Sequence, residues 1–260
     1  MKTTTIMVSL MLGMVVKTWG WAAPSAQGPQ IAAVSVDTAD PVGTAVQASG
    51  IMDDEDVGTA SGDPNYAVAA DLLPNTFLGE GAGHDTQSTK SDTFVGFDAG
   101  HHTTAGANNT FLGAGAGYSN TTGGENTFLG SLAGYSNTTG GHNTFTGYEA
   151  GYFNTTGVCN TFSGYCAGYS NTVGNNNTFS GYEAGYSNQG ANNTFFGYQA
   201  GWCNTGGYQN TFLGSGAGYS SSTGHFNTFL GQGAGYSTTT GYSSTFSGCE
   251  AGYKNTLAAR

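Results

Sequence analysis

Phenylalanine recurs along the chain at Phe77, Phe94, Phe111, Phe128, Phe145, Phe162 and Phe179, each 17 residues after the last, then at Phe195 after a step of 16, and at Phe212, Phe229 and Phe246. Counted from this residue, Thr stands at F−1, Gly at F+2 and Ala-Gly at F+5 and F+6 in all eleven copies. An aromatic residue or histidine follows at F+7: His84, His101, Tyr118, Tyr135, Tyr152, Tyr169, Tyr186, Trp202, Tyr219, Tyr236 and Tyr253. Seventeen residues are too few for a helix pair and carry no 3.6 period, whereas the two-residue alternation of a strand puts Asn, Phe and Gly of Asn-Thr-Phe-x-Gly on one face, with Phe inward. The same alternation predicts a second short strand at Ala-Gly-Tyr-Ser, its Ala and Tyr also inward. Asn-Thr-Thr-Gly-Gly is turn chemistry, because Asn and Gly tolerate left-handed backbone.

One such coil cannot bury its Phe, so the copies must stack. The predicted fold is all-β: a parallel β-solenoid, or β-roll, of eleven 17-residue coils at the parallel strand spacing of ~4.8 Å, occupying residues 75–260. Like residues then form ladders, the Phe column inside and Asn at F−2 satisfying its own amides. Asn at F−2 is replaced only by Asp92 and Ser244. The omitted residue of the 16-residue copy falls in the corner Gln189-Gly190-Ala191-Asn192, where no strand register is lost.

Composition alone points elsewhere. Charged residues make up 8% of the chain and the net charge is −11, which in an aperiodic sequence reads as disorder; the repeat removes that reading. The acids are unevenly placed: Asp37, Asp40, Asp53, Asp54, Glu55, Asp56, Asp63 and Asp71 all precede the repeats with no base among them. Residues 27–74 are therefore an acidic extension or linker, able to act as a cap or donated strand through Ile31–Val36 and Tyr66–Ala70. So acidic a chain lacks the basic footprint of nucleic-acid binding. Residues 1–26 read as a secretory signal peptide, with Lys2, an apolar run from Ile6 to Val16, and Ala22, Ala23, Ser25 and Ala26 at a small-residue cleavage site. No later apolar run nears the ~20 residues of a spanning helix, so the expectation is a secreted protein, extracellular or at a cell surface.

The phrase NTFLG-xx-AG-Y resembles the head repeats of trimeric autotransporter adhesins, and the NTxxGxxAG arrays of bacterial surface and tail-fibre-like proteins. The resemblance covers about Asn75 to Thr256. It implies an extracellular, non-enzymatic fibre or adhesive surface. The copies here are longer than those of the adhesin heads, and no heptad stalk or membrane barrel follows.

Catalytic or cofactor chemistry is not expected. The strings GEGAG (79–83), GAGAG (113–117), GSGAG (214–218) and GQGAG (231–235) occupy the same place as Gly-Tyr-Glu-Ala-Gly at 147–151, so they are solenoid corners rather than phosphate loops. His101 and His102 are the only adjacent histidines; His84, His142 and His225 are read as lying apart from them, all solvated, with no metal site. Glu149, Glu183 and Glu250 share F+4, but two coils separate the first pair by roughly 10 Å, too far for paired acid chemistry. Asp53–Asp56 is read as solvated linker rather than a calcium site. Cys159, Cys166, Cys203 and Cys249 share no position, so bridges within the chain are not expected. Asn-x-Ser/Thr occurs at Asn108, Asn120, Asn137, Asn154, Asn176 and Asn192.

The leading expectation is a subunit that self-associates head to tail into a homopolymer. The last coil keeps the interior pattern, leaving Thr245, Phe246, Cys249 and Tyr253 at an open assembly end. An adhesin head binding a surface glycan or matrix ligand is the alternative, carried by an exposed aromatic stripe at F+3: Tyr148, Tyr165, Tyr182 and Tyr198. An ice-binding solenoid is less favoured, because one Thr column is a poor match to a two-column face.

Overall fold

The computed structural model describes Val34–Val36, Val46–Ala48, and residues 75–87 and 91–255. Residues 1–26, expected to be a signal peptide, most of the acidic extension including Asp53–Asp56 and Tyr66–Ala70, and Thr256 lie outside the described residues. Strands β1 (Val34–Val36) and β2 (Val46–Ala48) form a separate antiparallel pair. The remaining strands, β3 (Thr76–Leu78) through β13 (Thr245–Ser247), make one parallel sheet in strict sequence order. Phe lies opposite Phe at every step. The fold is the expected all-β parallel solenoid, without a helix among the described residues.

Each coil contributes only three strand residues, Thr-Phe-x. The predicted second strand does not form. Backbone φ is positive at F+2, F+4 and F+6, as at Gly130, Leu132 and Gly134 (141°, 59° and 59°), and a chain that reverses hand at alternate residues coils instead of extending. Its amides alternate in consequence. Ala133, Tyr135 and Asn137 donate to Gly130, Leu132 and Gly134 three residues back, while Gly134 and Ser136 donate to Ala150 and Tyr152 in the next coil. Every coil is thus bonded to its neighbour outside the sheet as well as within it.

This geometry explains the two invariant glycines. A Cβ on Gly134 would stand 2.5 Å from the ring of Phe128 in its own coil, and one on Gly130 would stand 2.4 Å from the Gly147 carbonyl oxygen of the next. The first lets the backbone close over the core; the second lets successive coils approach to stacking distance. Ala at F+5 fills the remaining space beside Phe, and from Ala99 to Ala234 that column is completely buried.

The Phe rings stack at 4.7–5.0 Å between centroids with planes within 19°. Phe94 through Phe229 are fully buried, whereas Phe77 and Phe246 at the two edges are only partly covered. The Asn ladder at F−2 is present: Asn126 donates its backbone N–H to Asn109 Oδ1 (3.0 Å) and its Nδ2 to the Gly140 carbonyl (2.9 Å), and the pattern continues coil by coil.

A second buried Asn ladder stands at F+9, within the segment read as turn. Asn120, Asn137, Asn154, Asn171 and Asn188 each have no exposure, and Asn154 Nδ2 donates to Asn137 Oδ1 at 2.7 Å. Three of the Asn-x-Thr sequences are therefore interior, at Asn120, Asn137 and Asn154, while Asn108, Asn176 and Asn192 are exposed. The 16-residue coil keeps Phe179 opposite Phe195. It omits one residue between Asn188 and Gly190, and Gln189 spans the gap, its Oε1 accepting from Thr172 Oγ1 at 2.6 Å and its Nε2 donating to the Ser170 carbonyl.

Candidate assembly edges and surface ladders

The described solenoid presents repeating columns along its sides and an edge strand at each end. On the sheet face, Thr at F−1 runs in register from Thr76 to Thr245. Beside it at F+3, Tyr148, Tyr165, Tyr182 and Tyr198 form the expected exposed stripe, with centroids 5.0–5.4 Å apart and planes within 15°. Stacking turns the ring faces toward one another, so a partner meets ring edges and hydroxyls. The Glu149 hydrogen bond raises the Tyr148 hydroxyl above its ordinary range, and neighbouring Cys166 does the same to Tyr165.

At F+7 the residues are not inside, as alternation predicted; from His101 on they are half-buried on the flank, His84 is exposed, and the column stacks from His84 to Tyr253 at 4.7–5.5 Å. The positive φ at F+6 rotates them out while Ala at F+5 stays in. Partial burial raises the hydroxyls of Tyr135, Tyr169, Tyr186 and Tyr219.

Between these columns runs F+4, a polar file. The Cys166 thiol donates to Glu149 Oε2 at 3.5 Å, while Glu183 Oε2 accepts from Gln199 Nε2 (2.8 Å) and Trp202 Nε1 (3.1 Å). Burial, with the Glu149 carboxylate beside it, pushes the Cys166 thiol up to about 12, and burial raises Cys203 as well. All four cysteines are free. Where F+4 is glycine, at Gly216 and Gly233, the file is empty and leaves a groove of about 250 Å³ lined by Tyr198, Gln199, Tyr219, Tyr236 and Tyr253. A further aromatic group, Tyr208, His225, Phe226 and Tyr242, lies at F−4 and F−3 near the C-terminal edge; its members are too few for the sequence repeat to single them out.

The two edges of the described sheet are β3 and β13, each paired on one side among the described residues. At the C-terminal edge, Thr245 and Cys249 are exposed, with Phe246 and Tyr253 half-buried. Position for position, this edge matches the first coil: Phe246 corresponds to Phe77, Gly248 to Gly79, Ala251 to Ala82, Tyr253 to His84 and Lys254 to Asp85. Glu250 corresponds to Gly81, so no like charges meet.

The first two coils also gather histidines that the sequence reading kept apart. His84 and His101 share F+7 and stack at 4.7 Å. Asp85, one residue on, contacts His84 Nδ1 with Oδ1 (2.8 Å) and His102 Nδ1 with Oδ2 (2.7 Å). Hydrogen bonds from His102 and His84 hold the Asp85 carboxyl below its ordinary range, and burial followed by the neighbouring His102 lowers His101. His142 lies elsewhere, paired with Glu125 at 3.0 Å. No helix among the described residues is long and apolar enough to cross a membrane. No protein-family profile, curated protein or solved structure matches the chain.

Proposed function

We propose that the chain is a secreted, non-enzymatic structural protein whose solenoids stack head to tail into an extracellular filament. The observation that carries this reading is the correspondence of the two edges: each ends in a partly covered Phe on a parallel strand that is paired, among the described residues, on one side, and the columns would continue from one into the other. An unpaired strand edge is a template for another chain, and a solenoid repeats the same interface at every coil, so a junction reproduces contacts the protein already makes. Stacking would seat Phe246 on the Phe77 ring of the next copy, Tyr253 on His84, and Lys254 one rung from Asp85. The open, heterologous symmetry of such a contact generates a filament rather than a closed ring. Export rests on the leader at residues 1–26, and the acidic extension is assigned to the junction.

Negative-stain microscopy of the purified chain without residues 1–26 tests this. Uniform threads that disperse in a Lys254→Glu variant are expected; discrete particles about 5 nm long, the height of one solenoid at the strand spacing, at every concentration would overturn it. Deletion of residues 27–70 should leave a folded, secreted protein that no longer polymerises.

A second reading, an adhesin head, is favoured by the exposed stripe Tyr148, Tyr165, Tyr182 and Tyr198 and by the likeness of NTFLG-xx-AG-Y to adhesin head repeats. Because the rings offer edges and hydroxyls rather than faces, that surface suits a hydrogen-bonding partner, or a parallel filament, better than a sugar stacked on a ring.

A further inference from the structure

We propose that His84, Asp85, His101 and His102 form a binding site for a divalent first-row transition cation, zinc first, at the N-terminal end of the solenoid. Ligand atoms of His84, Asp85 and His101 lie within 4.8 Å of one another, and they form the one group of three or more such side chains among the described residues. His102 joins them through Asp85 and through its Nδ1, which stands 3.3 Å from His101 Nδ1. Ligands around a tetrahedral cation with bonds of about 2.0–2.1 Å are separated by about 3.3–3.4 Å, so these two nitrogens already span one edge of the polyhedron.

Hydrogen bonding leaves this cluster unresolved. His102 Nδ1 faces Asp85 Oδ2 at 2.7 Å and His101 Nδ1 at 3.3 Å, and the single proton a neutral imidazole nitrogen carries serves one of them. A cation accepts lone pairs from all the neutral nitrogens and the carboxylate at once. To admit it, the side chains must close in from separations of up to 4.8 Å among His84, Asp85 and His101 to a tetrahedral edge of about 3.3–3.4 Å, with one oxygen of Asp85 turned to the ion; Asp85 and His102 are partly exposed and free to shift. Three imidazoles and one carboxylate suit zinc, nickel or copper, and do not suit magnesium or calcium.

The surroundings hold the rings in place. Tyr118 stacks on His101 at 5.3 Å and meets His102 edge-on at 4.8 Å. Asp98 Oδ1 lies 3.9 Å from His101 Nε2, beyond hydrogen-bond reach, and places a negative charge behind the ring. Asp98 reaches this place over Gly81, where a Cβ would stand 2.0 Å from its Oδ1. The choice of glycine at F+4 of the first coil and Asp at F+4 of the second is thus coupled to the cluster. In the third coil F+7 and F+8 become Tyr118 and Ser119, which ends the site after two coils. The inference does not depend on filament formation.

The test is calorimetric titration of the full chain, stripped with chelator, with zinc chloride. One ion per chain is expected, bound at least tenfold more weakly by the His84→Gln/His102→Gln variant and unchanged in His142→Gln/His225→Gln. Absence of stoichiometric binding, an affinity that survives the first variant, or one lost equally in the second overturns the proposal. Should the first variant fail to fold, X-ray absorption of the zinc-loaded wild type decides instead: a first shell of nitrogen and oxygen supports the site, and a sulfur ligand, which would implicate the free cysteines, refutes it.

Discussion

Asn137 Nδ2 donates to Asn120 Oδ1 across 2.8 Å, joining residues 17 apart in the chain inside a completely buried column. The same amide donates to the Gly140 carbonyl at 3.0 Å, and Asn137 Oδ1 accepts from Asn154. Each residue of the ladder therefore ties its own corner closed and its coil to the coils on either side. A buried amide with every partner in place strengthens the fold, and the same amide with partners removed weakens it sharply.

Asn137→Ala strips partners from Asn120, Asn154 and Gly140 at once. At roughly 1–3 kcal/mol for a buried group left unsatisfied, the variant should lose about 2–4 kcal/mol, read as a lower urea midpoint. Toward the ends the ladder gives way to Thr86, Thr103, Ser221 and Thr238, whose buried hydroxyls have no hydrogen-bond partner. Thr103→Asn supplies an acceptor for Asn120 and should gain about 1 kcal/mol. Equal stability of wild type and Asn137→Ala would mean that the column fills space and does nothing more.

The invariant and variable glycines should behave oppositely. Gly134→Ala drives a methyl into the Phe128 ring and forces a left-handed backbone onto alanine. Overpacking and backbone together cost about 2–5 kcal/mol, enough to unfold neighbouring coils in hydrogen exchange. Gly216→Leu places a side chain at F+4, where Leu132 already takes the same left-handed conformation, and its Cβ would come no nearer than 3.3 Å to Tyr236. That variant should fold, with Leu occupying the groove beside Tyr219 and Tyr236, as its crystal structure would show.

The repeat made the solenoid, the Phe column, the F−2 Asn ladder and the Tyr148–Tyr198 stripe legible in the sequence, because one residue type held at one position through successive copies admits one explanation. Alternation failed at Ala-Gly-Tyr-Ser for a definite reason. It assumes extended backbone, and the sequence signal against that was already visible in Gly at F+2 and F+6, with Gly again at F+4 in four copies. The second Asn ladder was hidden by its neighbours, since Asn-Thr-Thr-Gly-Gly has the composition of any exposed turn. The histidine cluster was missed by treating His101-His102 as a pair in sequence; F+7 already placed His84 one rung from His101.

Thiol reactivity should separate the cysteines by environment. Cys166, held up to about 12 by burial and Glu149, would be thiolate in roughly one molecule in ten thousand at pH 8, against about a quarter for an ordinary thiol. Iodoacetamide should label the exposed Cys159 and Cys249 of the native protein and reach Cys166 only in urea. Mass spectrometry of chymotryptic peptides, which place Cys159, Cys166 and Cys249 in separate fragments, checks this, and rapid native labelling of Cys166 would contradict the packing at F+4.

Acid should loosen the first two coils before the rest. His101 is lowered from the imidazole value of 6.5 by burial and then by His102, so below that pH the unfolded chain takes up its proton more readily than the folded one, and stability falls as pH decreases from 6.5 through the folded-state value. Asp85 is lowered from 3.8 by hydrogen bonds from His102 and His84; its contribution is present above 3.8 and is lost as pH falls through its folded-state value. The two groups act in the same direction over successive windows. With chelator present to remove metal, the protection of Phe94 and Gly100, exchange measured against the intrinsic rate at each pH, should fall between pH 7 and 5, while that of Phe162 and Gly168, far from any histidine of this cluster, stays constant. His101→Tyr installs the residue that seven of the eight coils from Tyr118 to Tyr236 use at F+7, and it should remove the upper window and leave the lower one. A variant that retained both would show that His101 titrates in the folded chain as it does in the unfolded one.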